Sequence, residues 1–435
     1  MKRPLLSLLC LAIAANSFAQ KKGFTYHFYG QVRADYYYNS RANEELVDGL
    51  FYLYPKDRDR NGVIPGYLAG GNYELSKDDE RDMNSTPNSN FYSIYSQLGV
   101  DLTGPNLGSA RTSAKVEIDF RGSGSSFTLA RIRHAYFKLN WTTSELLVGQ
   151  AWHPLFGDVS PKVLNLSVGA PYQPFSRAPQ IRYRYEGAWM QLTAALVWQS
   201  QYLSQGPKGR SNEYIKHSNI PEVYLGADYK QDGLLAGVGV ELLSLKPRTV
   251  ASQTFNGMGF GGYYSYTTNH KVNERITTLS YEAHLRYTHK DWMVAAKSVL
   301  GSNLTQACGL GGYGIKEINQ EKDEQKYTPL RFSSSWLNVV YGRKWKPGLF
   351  VGYAKNLGTP DPLASTTLYG TGTNLDQLVS VGAELTYNLP HWKLGVEYTL
   401  CKARYGSLDQ ESGKSNVDKH SVQNHRVVAA AIFLF

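Results

Sequence analysis

The 435-residue chain lacks any stretch of about 20 consecutive apolar residues, the length that a helix needs to cross a bilayer. Hydrophobic residues make up only 42% of the sequence, so a helical membrane protein is excluded. A short basic start, an apolar run and small residues before Gln20 predict a secretory signal peptide over residues 1–19. Export without a helical anchor leaves two classes, a secreted soluble protein and a transmembrane β-barrel.

Cysteine is scarce, with three residues in the whole sequence. Cys10 lies in the predicted signal peptide, and the remaining Cys308 and Cys401 permit one disulfide without requiring it. The cysteines have no zinc-ligand spacing, and the histidines form no HExxH or similar metal-binding pattern. The sequence therefore predicts no metal site, no catalytic site and no cofactor.

Tyrosine and glycine are abundant instead, with 32 and 41 residues, and there are 8 tryptophans. This composition suits strands that alternate polar and apolar residues, which is what a barrel with a wet lumen requires. The net charge is +10, and removal of Lys2 and Arg3 with the signal peptide leaves +8. A basic exported protein can bind nucleic acid, anionic glycans or anionic solutes. For a barrel, we expect small anionic or polar solutes as partners and no nucleic acid.

The final segment, residues 422–435, reads VQNHRVVAAAIFLF. Its alternate residues are apolar up to Phe435, and Arg426 lies on the opposite face. Such a strand is an aggregation hazard in a soluble domain, but it suits the closing strand of a barrel whose outer face meets lipid. The terminal Phe435 resembles the assembly signal of bacterial outer-membrane proteins. This resemblance implies outer-membrane lipid and the barrel-assembly machinery as partners.

Alternation with a period of two recurs along the chain and predicts an all-β fold, a single transmembrane antiparallel β-barrel over residues 20–435. In the first segment, residues 24–38, the alternation is longer than a typical strand of a soluble protein. The number of segments is about sixteen, as in barrels of porin size. The other segments lie near 89–102, 110–121, 127–141, 145–151, 179–186, 188–202, 219–231, 233–246, 276–288, 291–304, 332–344, 347–356, 375–388, 391–404 and 422–435.

The connections between these segments alternate between short turns and long polar stretches, of which residues 39–88 are the longest. Short periplasmic turns and long external loops are typical of outer-membrane barrels, and this arrangement places both termini in the periplasm. Five tryptophans stand beside the short turns and predict an aromatic girdle at one membrane interface. They are Trp141, Trp189, Trp292, Trp345 and Trp392.

The fourth segment breaks the alternation. Arg131 and Arg133 share parity with the apolar Ala135 and Phe137, so one face changes its character midway. A β-bulge near His134 would restore the pattern, because one extra residue in a strand moves the following side chains to the other face.

Sixteen strands enclose an aqueous channel, whereas eight strands fill their own interior. Residues 152–178 follow the fifth predicted strand and contain four prolines and an apolar Val163-Leu164 pair. An exposed loop tip would be less apolar. We therefore expect this segment to fold inward and to constrict the lumen; the alternative is a loop that caps the outside or joins an oligomer interface.

Charged residues alternate with apolar ones along the third and sixth segments. A charge on the lipid side costs ~2–4 kcal/mol at the membrane midplane, so these charges are expected to face the pore. Rings of basic residues favour anions, although each arginine has the alternative role of bracing the wall in a salt bridge. The predicted pore-lining residues are Arg33, Arg111, Lys115, Glu117, Asp119, Arg121, Asp158, Arg182 and Arg184.

Three short motifs carry a family resemblance: EIDF at 117–120, RIRHAY at 131–136 and GQ at 149–150. They resemble the signature region of the DcaP-like and phosphate-selective-type outer-membrane porins. The resemblance covers residues 110–185 well. It implies a sixteen-stranded trimeric diffusion porin of the cell outer membrane that favours small anions, and it adds Arg131 and Arg133 to the pore-lining residues.

Three functions of different classes follow from the sequence. The first is a passive, non-enzymatic porin with a preference for anions. The second is an outer-membrane enzyme of the phospholipase or protease type, for which Ser93, Ser96 and His134 form no recognisable triad pattern. The third is a surface adhesin or receptor, which the long external loop 39–88 suggests.

Overall fold

The computed structural model describes residues 23–46, 51–59, 82–121, 129–259 and 262–435. Within them, sixteen antiparallel strands pair in sequence order, and the last strand pairs with the first. The sheet is therefore a closed barrel, as the sequence predicts. The predicted signal peptide lies outside the described residues and stays a prediction.

The barrel strands are named β1 to β16 in chain order. Each predicted segment corresponds to one strand, and the second strand is built from two pieces that both pair with β1. The bounds are β1 Thr25–Asn39, β2 Asn88–Tyr92 and Gln97–Leu107, β3 Ala110–Asp119, β4 Arg131–Asn140, β5 Ser144–Trp152, β6 Arg177–Glu186, β7 Met190–Val197, β8 Glu222–Gln231, β9 Leu234–Leu245, β10 Ile276–His289, β11 Trp292–Ser302, β12 Glu324–Tyr341, β13 Trp345–Gly358, β14 Leu375–Asn388, β15 Trp392–Asp409 and β16 Lys414–Leu434.

The chain terminus takes part in closing the barrel. The register of β1 against β16 pairs Gln31 with Leu434, and the next pair joins Gly30 to Phe435. The Gly30 amide donates to the Phe435 carbonyl at 2.9 Å, and the Phe435 amide donates back at 3.2 Å. Closure leaves neither strand with an unpaired edge here, which lipid would not tolerate.

The two faces of the barrel differ in chemistry. The outer face carries exposed apolar side chains such as Phe28, Leu349 and Val396. The opposite face carries buried polar side chains such as Asp119 and Asn338. An apolar exterior around a polar interior is the arrangement of a membrane barrel and the reverse of a soluble one.

The predicted aromatic girdle is confirmed beside four of the short turns. Trp189, Trp292, Trp345 and Trp392 are about half exposed, and each contacts an aromatic ring of the adjacent strand. The closest of these ring pairs have centroids 4.6 Å apart. Trp141 lies beside a fifth short turn and is half-buried. Amphipathic rings of this kind mark a membrane interface.

The predicted bulge lies one residue before its expected position. Glu117 pairs with His134 and Ile118 pairs with Ile132, so Arg133 has no partner in the ladder between β3 and β4. The extra residue turns both Arg133 and His134 toward the interior, where both are buried. Ile132 remains on the outer face, which restores the alternation.

The long-loop side contains more regular structure than the sequence predicts. The segment 405–421, expected as a loop, continues β15 and β16 as a hairpin. Further elements on this side are the strand pairs Asn43–Glu45 with Tyr52–Pro55, Gln205–Gly206 with Gly209–Arg210 and Val250–Gly259 with Gly262–Lys271, the strands Gly311–Asn319 and Leu368–Thr371, and the short helix α1, Glu213–Ser218.

Among the residues that the structure describes, no helix has the length and the apolar character to cross a membrane. Cys308 and Cys401 are both buried free thiols, so they do not form the disulfide that their number permits.

The outer face generates a test of the membrane assignment. Val351, in the middle of β13, is 43% exposed and pairs with Leu337 and Val381. Val351→Arg should lower the free energy of unfolding by ~2–4 kcal/mol in lipid vesicles, because the charge enters hydrocarbon. Val351→Leu is the matched control and should leave it nearly unchanged. Equal unfolding midpoints in denaturant for the two variants would contradict the assignment of this face to lipid.

Candidate functional site: the lumen and the segment 153–176

The segment between β5 and β6 hydrogen-bonds to inward-facing side chains of many strands. Near its start, the Leu155 and Phe156 carbonyls accept from Lys297 Nζ of β11 at 2.7 and 3.2 Å. The Asp158 carbonyl accepts from Arg286 of β10 at 2.8 Å. These contacts hold the first turn of the segment against the middle of the strand order.

The centre of the segment reaches strands at the other end of the sequence. Glu397 of β15 accepts from the Leu164 and Asn165 amides at 2.7 and 2.9 Å. The Leu164 carbonyl accepts from Arg33 of β1 at 2.7 Å. The Lys162 amide donates to Asn338 of β12 at 2.7 Å. Residues 153–176 therefore contact both ends of the strand order and its middle.

Apolar packing accompanies these polar contacts. Phe156, Tyr172 and Phe175 belong to a buried cluster that includes Trp336 and Phe350 of the wall. The Trp336 indole also donates to the Gln173 side chain at 2.9 Å, and the Tyr172 hydroxyl lies 2.7 Å from Ser380 Oγ. Burial on this scale explains the apolar composition of the segment, since each buried aromatic side chain contributes roughly 1.5–3 kcal/mol.

Five arginines gather on the interior side of β1, β3, β4 and β6. We call this group the arginine cluster: Arg33, Arg121, Arg131, Arg133 and Arg177. Its members surround the buried Tyr95, whose ring lies 5.1–5.5 Å from three of the guanidinium carbons. Guanidinium groups stack well on aromatic faces, which offsets part of the cost of their burial.

Three members of the arginine cluster are neutralised by carboxylates. Asp119 is fully buried and accepts from Arg131 at 2.8 and 3.0 Å and from Arg133 at 3.0 Å. Arg133 also donates to Glu117. Arg33 binds Asp35 through two nitrogens at 2.7–2.9 Å. These are bracing interactions of the wall, the second of the two roles expected for each arginine.

Arg121 and Arg177 differ from the rest of the arginine cluster. Their side chains are 1% and 0% exposed, and all three nitrogens of each lack a hydrogen-bond partner within the described part of the chain. Each lies over aromatic rings, Arg121 over Phe51 at 5.2 Å and Arg177 over Trp152 at 4.9 Å. The arginine cluster therefore contains five cations and three carboxylates, and these two residues carry the excess charge.

A cavity of about 140 Å³ lies beside the segment 153–176. It is lined by Arg182, Arg184, Asp158, Tyr136 and Tyr224, among others. The nearest carboxylate oxygens lie 3.7 Å from Arg182 and 3.4 Å from Arg184, which is longer than a charge-assisted hydrogen bond of about 2.7–2.9 Å. Both guanidinium groups therefore retain donors that can meet a solute.

Asp158 and Asp228 are the acidic residues that line this cavity. Burial alone raises the pKa of the Asp158 carboxyl, but the Arg184 guanidinium and the Gln191 amide together hold that pKa below the ordinary aspartate value. The cavity thus contains an ionised carboxylate between two arginines.

The remaining predicted pore residues lie apart from these groups. Lys115 pairs with Asp101 at 3.0 Å and lies over the Tyr29 ring. Arg111 is exposed near the short turn between β2 and β3, away from the arginine cluster.

Sequence reasoning missed Arg177, Tyr95 and the buried group of His153, Glu222 and Glu241. Arg177 lies where a predicted loop meets a predicted strand. The alternation of residues does not show there which way a side chain points. Arg177 also has the opposite parity to Arg182 and Arg184, so the alternation along this strand would have assigned it to the other face.

Strand order, closure and the two faces define a transmembrane β-barrel of the porin type. No family model and no curated protein sequence matches the chain. Among solved structures, the chain is similar to the outer membrane channel DcaP of Acinetobacter baumannii, with 18% identity, a TM-score of 0.63 and coverage of 96% and 99% of the two chains. It is similar to a trimer form of OmpT, an outer membrane protein of Vibrio cholerae (14% identity, TM-score 0.52, coverage 95% and 100%). It also resembles OmpF of Salmonella typhi in a complex with daunomycin (11% identity, TM-score 0.51, coverage 95% and 98%). These similarities show the fold.

Two aspartates on neighbouring strands test the bracing role of the arginine cluster. Asp119→Asn should destabilise the barrel by about 3–5 kcal/mol, because it removes the partner of two buried arginines. The same substitution at Asp101, whose side chain is 45% exposed beside Lys115, should cost only about 0–1 kcal/mol. Denaturant unfolding followed by tryptophan fluorescence measures both. Similar costs at the two positions would contradict a buried ionic network.

Proposed function

We propose that this protein is a passive diffusion channel of the bacterial outer membrane, for small hydrophilic solutes and with a preference for anions. The observation that carries the anion preference is the pair Arg121 and Arg177, two buried cations that lack hydrogen-bond partners in the described chain. Their charge adds to that of Arg182 and Arg184 along the same interior face. A basic interior lowers the barrier for anions and raises it for cations.

The constriction is the second part of the proposal. Residues 153–176 bind inward-facing side chains from β1, β10, β11, β12 and β15, which lie on different sides of a closed ring. A single segment can reach all of them only by crossing the interior. We therefore propose that the predicted loop 152–178 narrows the lumen and that solutes pass between it and the walls that bear arginines.

The orientation and assembly of the barrel follow the same model. The short turns and both termini would lie in the periplasm and the long loops outside, since barrels of this class have short periplasmic turns and long external loops. Phe435 would serve the barrel-assembly machinery. A homotrimer is the expected assembly; the similar OmpT structure is described as a trimer form.

The enzyme alternative receives less support. Ser96 Oγ donates to the Ser93 carbonyl at 2.9 Å, and the His134 ring contacts Tyr136 and Trp152. A nucleophile needs a base within hydrogen-bond reach, and within the described residues no hydrogen bond joins His134 to Ser93 or Ser96. A passive channel accounts for the interior charges without a catalytic group.

Reversal potentials in planar bilayers under a salt gradient test the anion preference. Wild-type protein should conduct and favour the anion. The double variant Arg182→Gln with Arg184→Gln should shift the reversal potential toward cations, because two guanidinium groups leave the cavity. Arg343→Gln is the control, since Arg343 lies beside a short turn with its side chain 84% exposed. An unchanged reversal potential in the double variant would refute the anion wall, and a folded wild-type barrel without conductance would refute the channel.

The single-channel conductance tests the constriction. Replacement of residues 160–169 by a short Gly-Ser linker should raise the conductance severalfold, because it removes the proposed constriction together with its hydrogen bonds to Glu397 and Arg33. Shortening the exposed hairpin of residues 250–271 by the same number of residues is the control and should leave conductance unchanged. If both deletions have the same effect, residues 153–176 do not narrow the pore.

A further inference from the structure

One group of buried side chains plays no part in the proposed channel. His153 opens the segment 153–176, Glu222 begins β8, Glu241 lies on β9, and Gln306 belongs to a 3₁₀ turn after β11. We call these four residues the His–Glu group. All four are at most 2% exposed. Four separate parts of the chain thus bring these polar side chains into contact.

The ligand atoms of the His–Glu group have the spacing of a metal site. His153 Nε2 lies 3.1 Å from Glu222 Oε2 and 3.8 Å from Glu241 Oε1. Gln306 Nε2 lies 3.2 and 3.1 Å from the same two oxygens. Ligand atoms bound to a tetrahedral zinc ion at ~2.0–2.2 Å lie roughly 3.3–3.5 Å from one another. The observed separations lie on both sides of this ligand–ligand distance.

The negative charge of the two glutamates in the His–Glu group also favours a bound cation. Glu222 and Glu241 form ion pairs only with His153 among the described residues. The nearby Lys297 is bound to Glu282 at 2.9 Å and to two backbone carbonyls, so its charge is already matched. Two buried carboxylates that share a single imidazole as their basic neighbour are costly unless a proton or a metal ion joins them.

Two buried acceptor atoms in the group have no hydrogen-bond partner in the described chain. They are Glu241 Oε2 and Gln306 Oε1. Rotation of the Gln306 amide by half a turn about its last side-chain bond exchanges its oxygen and nitrogen. The carbonyl oxygen then takes the position that the nitrogen now occupies. The group then offers one imidazole nitrogen, two carboxylates and one amide oxygen, a donor set that suits zinc and related divalent transition metals better than calcium.

We propose that His153, Glu222, Glu241 and Gln306 bind a divalent transition-metal ion of the zinc class. The ion balances the two carboxylates and joins the start of the segment 153–176 to β8 and β9. Binding requires a free Nε2, so the ring proton moves to Nδ1 and the Leu155 amide gives up its 3.2 Å contact with that atom. The site lies within the barrel and does not depend on the pore being selective.

Zinc titration of the folded, full-length barrel tests the site. The protein is stripped with a chelator and titrated with ZnCl₂ by calorimetry, and bound metal is counted by elemental analysis. Wild-type protein should bind zinc in a one-to-one ratio and far more tightly than CaCl₂. Glu241→Gln and His153→Gln should weaken zinc binding at least ~10-fold.

Glu384→Gln is the matched control, since Glu384 is a half-buried glutamate of β14 outside the group. It should bind zinc as wild type does. Heat-modifiable migration on gels confirms that each protein is folded before titration, and the two ligand variants provide independent tests. Wild-type protein that binds no zinc would overturn the proposal and favour a shared proton between the glutamates. Equal zinc affinity in wild type and in a folded ligand variant would overturn it as well.

Discussion

The structure depends on one constraint, that every backbone amide and carbonyl in the membrane must be paired within the protein. Lipid offers no hydrogen bonds, so an open sheet edge in hydrocarbon would cost several kcal/mol for each unmatched group. The pairing of Gly30 with Phe435 satisfies this constraint where the two ends of the chain meet. Closure then fixes which face of each strand meets lipid. The period-2 pattern, the aromatic girdle and the polar interior are consequences of that choice.

Closure creates a second constraint, because the polar residues of the inner face are far from bulk water on several sides. The segment 153–176 supplies many of the hydrogen-bond partners that these polar residues need. Its backbone provides acceptors to Lys297 and Arg33 and donors to Glu397. The segment 153–176 and the polar wall therefore stabilise each other: the wall supplies the partners that a buried backbone needs, and the segment binds wall charges that would otherwise be left unpaired.

The local pattern was enough to predict the strands and their faces, because lipid and lumen impose a strict alternation that packing rarely overrides. The bulge was also predictable, because Arg131 and Arg133 fall on the same face as apolar residues further along the strand. Its position at Arg133 depends on how Glu117 pairs across the strands. The site was less accessible to sequence reasoning. His153 and Glu222 are 69 residues apart and meet only because the segment crosses to β8. The extension of β15 and β16 was missed, since residues 405–421 are mostly polar and lack the alternation that marks a strand.

The interior holds unmatched charge of both signs at separate places. The arginine cluster has an excess of cations at Arg121 and Arg177, whereas Glu222 and Glu241 form an excess of anions beside the start of the segment 153–176. A barrel selected only for stability would have placed these groups against each other, because buried charges gain most from direct pairing. Their separation supports the proposals that anions pass through the interior and that a metal ion binds the two carboxylates. Mobile anions suit Arg182 and Arg184, which line a cavity, and a fixed metal ion suits Glu222 and Glu241, which are buried.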